Sequence, residues 1–183
     1  LAALHTLPAT GLPVRQPAAE LGALNAAADA VASLCPELAC RTQALRQTLA
    51  MYLNTMPIMP GLIHGDFYAR QVLLHGAGTM LIDFDEAAYA DQMLDLANML
   101  AHIEYDVLCS GLRRERANMA RANLLLGYLR QLYKTAATDL DLMLAKLTML
   151  TAARLLLLAP QPFRSYMPGW PDHIQAIVER CEG

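Results

Sequence analysis

The chain has 183 residues, 55% of them hydrophobic and 17% charged, and a net charge of −3 at neutral pH. That length suits one domain with a sizeable core, and a composition led by Ala and Leu argues for a helix-rich globular fold rather than a disordered or fibrous one. A slightly acidic total gives no electrostatic reason to expect nucleic acid or an anionic membrane as a partner.

In chain order, residues 1–7 read as the end of a helix stopped before Pro8, and residues 8–17 as an irregular connector punctuated by Pro8, Gly11, Pro13 and Pro17. Residues 18–34 are Ala-rich, with Leu21, Leu24, Ala28, Val31 and Leu34 at helical spacing. Pro36 opens a second helix through about Leu53, which ends at the Pro57 to Pro60 segment. After a central stretch at 61–85, helices are expected over 91–108, 113–133 and 138–158. A loop with Pro160, Pro162, Pro168 and Gly169 follows, and Pro171 starts a last helix to about Arg180. Residues 140–159 are apolar enough to resemble a membrane span, but Lys146 and Arg154 interrupt them, so a buried core helix is expected. Cys35, Cys40, Cys109 and Cys181 have no metal-ligand or redox spacing and read as free thiols. No leader pattern is visible, so a cytoplasmic location is expected, and Leu1 in place of an initiator Met is read as a trimmed start.

The chemistry is concentrated in residues 61–85. A short apolar run (Leu62, Ile63) leads into a polar loop holding His64, Gly65, Asp66 and Gln71. Residues 72–75 and 79–84 then flank Gly76-Ala77-Gly78 as a three-residue hairpin turn. Such a hairpin returns Asp83 and Asp85 toward the loop that carries Asp66. Asp66, an amide five residues on at Gln71, and Asp83 beyond a hairpin are close to a phosphoryl-transfer layout. One carboxylate orients the attacking hydroxyl and takes its proton, and oxygen ligands hold the Mg²⁺ that offsets phosphate charge. A carboxylate ending an apolar strand is costly unless paired, which favours a ligand role for Asp83. For each residue a plainer reading exists: a turn-capping Asp66, a hairpin-capping Gln71, a solvated Asp85, a satisfied core His64 and a first-turn Asp95 at the positive end of its helix. Eight of the 17 acidic residues lie between 61 and 106, Glu104 and Asp106 included, which suits a metal site or a pocket for a cationic substrate; the plainer reading is that helix starts and turns collect acids.

His64-Gly65-Asp66 with the downstream amide, Ile82-Asp83-Phe84-Asp85 and Asp91-Gln92-Met93-Leu94-Asp95-Leu96-Ala97 resemble the catalytic core of the aminoglycoside phosphotransferase and choline kinase superfamily. The opening Leu1-Ala2-Ala3-Leu4-His5 is faintly similar as well. The resemblance implies a mainly α fold with a small central β-hairpin, the C-terminal large lobe of a protein-kinase-like fold, over residues 1–183. It implies ATP and Mg²⁺ as cofactors and a small-molecule hydroxyl as acceptor. Asp66 would be the catalytic base, Gln71 and Asp83 would bind cofactor and metal, Asp85 would be a further metal contact, and His64 and Asp95 would brace the loop.

Two departures stand out: Gln71 replaces the family's usual Asn, one methylene longer, and Ala90-Asp91-Gln92 replaces Gly-Asp-Pro. About 60 residues precede the loop and read as helix, and Lys134 and Lys146, the only lysines, both follow it. The expectation is therefore a chain that lacks the N-terminal nucleotide-binding β lobe and is inactive without it. The rival readings are a non-catalytic binding or scaffold module derived from a kinase lobe, and a metal-dependent phosphohydrolase, which would need more His and Asp ligands than this region supplies.

Overall fold

A computed structural model describes residues 1–76, 78–132 and 140–183. The expected turn residue Ala77, the helix end at Tyr133, Lys134 and the helix start at Thr138 lie outside them. Eight helices are described: α1 (Ala2–His5), α2 (Pro17–Leu34), α3 (Ala39–Thr55), α4 (Met93–Cys109), α5 (Arg114–Leu132), α6 (Leu140–Leu158), α7 (Gln161–Arg164) and α8 (Trp170–Glu182). Four short strands complete the set: β1 (Pro60–Ile63), β2 (Val72–His75), β3 (Gly78–Leu81) and β4 (Ala88–Asp91). Pro17 sits at the first helical position of α2, where a missing N–H leaves no bond unmade. Pro36 opens a 3₁₀ turn (Pro36–Leu38) ahead of α3, so the second helix of the sequence reading begins tighter and ends two residues later than expected.

The strands form two antiparallel pairs rather than one. β2 pairs with β3, and His75 lies opposite Gly78, so the ladder runs one residue further into the turn than a three-residue Gly76-Ala77-Gly78 loop would allow. β3 stops at Leu81 instead of Phe84, because Asp83 takes a left-handed backbone (φ 64°) that cannot continue a ladder. From the sequence β4 is not expected as a strand, and its last residue, Asp91, is expected to open a helix; it pairs instead with β1 in the register Pro60↔Asp91 to Ile63↔Ala88, and α4 begins only at Met93. The connector joins this second pair: Tyr89 donates its N–H to the Pro13 carbonyl (2.8 Å), and the Arg15 N–H donates to the Tyr89 carbonyl (3.0 Å). Four-residue strands leave too short a pattern to be read from periodicity, and their partners lie far away in sequence.

α4 is the axis of the molecule. Every residue from Met93 to Ala101 is buried, and the helix packs against α6 along much of its length. Its apolar side joins Ile63, Ala88, Leu147 and Leu150, while Leu24, Leu49, Leu156, Ile174 and Ile177 form the neighbouring core between α2, α3, α6 and α8. By length and composition alone Leu140–Arg164 could cross a membrane, with a mean hydropathy of 1.8. In the fold its helical part is a core element whose two basic residues are answered internally: Lys146 is bound to Asp91 and to the Pro57 carbonyl, and Arg154 meets Glu20 at 2.9 Å.

Candidate active site

The loop that leaves β1 is held from below by α4. Asp95, 1% exposed, accepts the backbone N–H of His64 at 2.8 Å and of Gly65 at 2.9 Å. The same carboxylate contacts Nε2 of His5 (3.1 Å), and Nδ1 of that ring contacts the Tyr128 hydroxyl (2.9 Å). Burial, with Asp95 and Asp91 close by, pushes the Tyr128 phenol far above its ordinary range. It therefore keeps its proton and is free to donate it to Nδ1, while Nε2–H donates to Asp95. This places α1, the loop, α4 and α5 on one buried hydrogen-bond relay.

Gly65 lets the loop close on the chain after β3. Its φ is +88°, and a Cβ there would lie 2.0 Å from the Glu86 carbonyl oxygen, so no other residue fits without displacement. Arg15 clamps the same junction, donating to the Glu86 carboxylate (2.7 Å), the Glu86 carbonyl (3.2 Å) and the Gly65 carbonyl (3.4 Å). His64 is fully buried; its Nε2 donates to the Ile82 carbonyl at 2.8 Å and its ring packs 4.7 Å from Phe84. That bond ties the loop to the end of the hairpin.

The site residues fall into two contacting pairs. Asp66, half-buried, has Oδ1 held by the Asn98 side-chain amide at 3.2 Å, and the same amide also donates to the Phe67 carbonyl at 3.3 Å. No further hydrogen bond or ion pair to the Asp66 carboxylate occurs among the described residues. Gln71, buried, donates from Nε2 to Asp83 Oδ2 at 3.1 Å, and among the described residues the Gln71 amide oxygen and the other Asp83 oxygen make no hydrogen bond. Asp83 itself is exposed and lies two residues beyond β3, so the sequence argument from a carboxylate buried at a strand end does not hold. What recommends it as a ligand is its contact with Gln71. Asp85 is exposed and makes no hydrogen bond or ion pair among the described residues.

Asn98, His5 and Arg15 were not singled out in the sequence as site residues. Asn98 carries a signal in retrospect: it lies three residues after Asp95, on the same face of α4. His102, one turn further, stacks on Tyr68 with ring centroids 4.4 Å apart and 20° between planes. Burial lowers its basicity below the ordinary value, with Asp66 and Asp106 opposing the shift and Arg70 adding to it. An acidic patch at Glu104 and Asp106 would point to a cationic acceptor, but Glu104 does not contribute to one. Glu104 is buried and bound by Arg114, Arg121 and Arg180, so it offers no free charge to a cationic acceptor.

Among the described residues no three His, Cys, Asp or Glu side chains converge as a metal cage. The oxygen-only set of Gln71 and Asp83 does suit a hard divalent cation of the Mg²⁺ kind, which takes few protein ligands and completes its shell with water and substrate phosphate. A family model described as the phosphotransferase enzyme family matches residues 1–135 of the chain. No curated protein gives a significant match.

Proposed function

Starting from the chain's membership of the phosphotransferase enzyme family, we propose that it is the substrate-side lobe of a kinase that moves the ATP γ-phosphoryl group onto a hydroxyl of a small molecule. The observation that carries this reading is the asymmetric anchoring of Asp66. One carboxylate oxygen is fixed by Asn98, the backbone just before it is fixed by Asp95, and the second oxygen is left for a ligand.

Asp66 would accept a hydrogen bond from the acceptor hydroxyl, turn its lone pair toward the phosphoryl group and take its proton late in the transfer. Gln71 and Asp83 would hold Mg²⁺ through the two oxygens that their mutual hydrogen bond leaves open. Mg-ATP, when bound, supplies the phosphoryl group and offsets the charge that builds on it. Leu73 and Met80, opposite each other in the β2–β3 register and 47% and 61% exposed, supply an apolar surface two residues from Gln71 on which a nucleotide base would rest.

One observation favours dependence on chain outside these residues. Lys146 is the only lysine among the described residues, and it is buried against Asp91 and Pro57, away from any phosphate role. The chain by itself is therefore expected to bind Mg-ATP weakly and to turn it over little or not at all.

Calorimetric titration of Mg-ATP, paired with a phosphorylation assay against hydroxylated small molecules, tests the reading. Asp83→Ala should remove the Mg²⁺ dependence of nucleotide binding. In a preparation completed by a nucleotide-covering lobe, Asp66→Ala should lower turnover roughly 10²–10⁴-fold. A hydroxylated ligand that binds without nucleotide, and equally well to Asp66→Ala and Asp83→Ala, would instead establish a non-catalytic binding module.

A further inference from the structure

A cavity of about 220 Å³ opens between α4, α5, α6 and α8 and shares no lining residue with the site around Asp66. Asp95, Asn98 and His102 recur along one face of α4, whereas Glu104 lies about 200° round the helix from His102. Glu104, Arg121 and Arg180 give the cavity a charged part; the rest of its lining mixes leucines, among them Leu100, Leu125 and Leu144, with Thr148, Thr151 and Gly183.

The charges in that part do not balance. Glu104 is 2% exposed and receives Arg114 Nη1 at 2.5 Å, Arg121 Nη1 at 2.7 Å and Arg180 Nε at 2.9 Å. One carboxylate therefore faces three guanidinium groups, which cannot shed their protons; Arg114 lies outside the cavity lining, so Arg121 and Arg180 against Glu104 leave one positive charge over within it. Arg180 spends only its Nε on Glu104 and Arg121 only its Nη1. Among the described residues no other carboxylate meets either side chain. Planar guanidinium forks with free N–H groups match a carboxylate in a two-bond geometry, and a leucine-lined wall favours hydrocarbon over water.

We propose that this cavity binds a small organic carboxylate with an apolar tail, its head on Arg121 and Arg180 and its tail along the leucines of α4, α5 and α6. The inference does not depend on the phosphotransfer reading. A network built only to neutralise Glu104 would need one arginine, and would not join its surplus charge to a cavity lined in part by leucines.

The test is calorimetric titration of the 183-residue chain with hexanoate, hexanol and inorganic phosphate. Hexanoate is expected to saturate at one site, about tenfold tighter than either comparison probe. Arg180→Gln should weaken it about tenfold, and Arg164→Gln, on an exposed side chain elsewhere, should leave it unchanged. Glu104→Gln removes the internal competitor and should tighten binding. Should that variant fail to fold, Thr148→Phe, which fills the cavity without touching the charges, should abolish binding while thermal melting confirms the fold. Hexanol or phosphate binding as well as hexanoate, no saturation, or unaltered affinity in Arg180→Gln or Thr148→Phe would each overturn the proposal.

Discussion

Gly65 is the position at which the fewest side chains are admissible. Gly65→Ala would place a methyl group inside the Glu86 carbonyl and hold alanine at a left-handed φ. A loss of roughly 2–4 kcal/mol is expected, read as a lowered urea midpoint, together with weakened Mg-ATP binding as the loop is pushed off the hairpin. Asp95→Asn presents an amide N–H where three donors now converge and strands at least one of them in the interior. It should cost about 2–4 kcal/mol in the same assay. The resemblance singles out Asp95, because its motif is contiguous in sequence. It does not single out Asn98, whose meaning depends on a contact across 32 positions, or His5, whose partners lie 90 and 123 positions away. A residue that acts through tertiary packing leaves no local pattern.

At the scale of elements, α4 presents a lowered histidine on its loop side and a lowered carboxyl on its cavity side, and the two give acid sensitivity in separate windows. Burial disfavours protonated His102 in the folded chain. Just below its ordinary value of 6.5 the unfolded chain then holds more protons, so stability rises with pH through that window and levels off above it. For Glu104 burial pulls upward, but Arg114 and Arg180 outweigh it and hold the carboxyl below its ordinary 4.5. Its contribution is full above that value and is lost as pH falls through the folded one. Melting temperature against pH should show both steps, with His102→Gln flattening the upper one and Glu104→Gln the lower. The long helices were legible because their apolar residues recur periodically, whereas α7, four residues within the stretch that Pro160, Pro162, Pro168 and Gly169 mark as a loop, was not. Nor was β4, since four residues of Ala-Tyr-Ala-Asp carry no preference that outweighs the neighbouring helix, and only β1 across the sheet decides the matter.

For the whole molecule, a mainly α fold with a small antiparallel element followed from composition and motif. The second strand pair and the internal pairing of the α6 charges came only with the assembled core. Packing also sorts the four cysteines. Cys40 is exposed, whereas Cys35 and Cys181 are buried and Cys109 is partly covered. Burial lifts the Cys109 thiol to about 11 and the Cys181 thiol to about 12, so neither forms a nucleophilic thiolate near neutrality. A thiol reagent at pH 8 should modify Cys40 quickly and the other three only after denaturant is added, as peptide mapping will show. The burial of α4 also constrains how the gene can change in length. Inserting or deleting one codon between Asp95 and Asn98 swings everything downstream by about 100° and uncouples the loop brace from the residue that aims Asp66. Tolerated insertions should therefore cluster at the Ser110-Gly111 bend after the helix, and deep insertion scanning should find none within it.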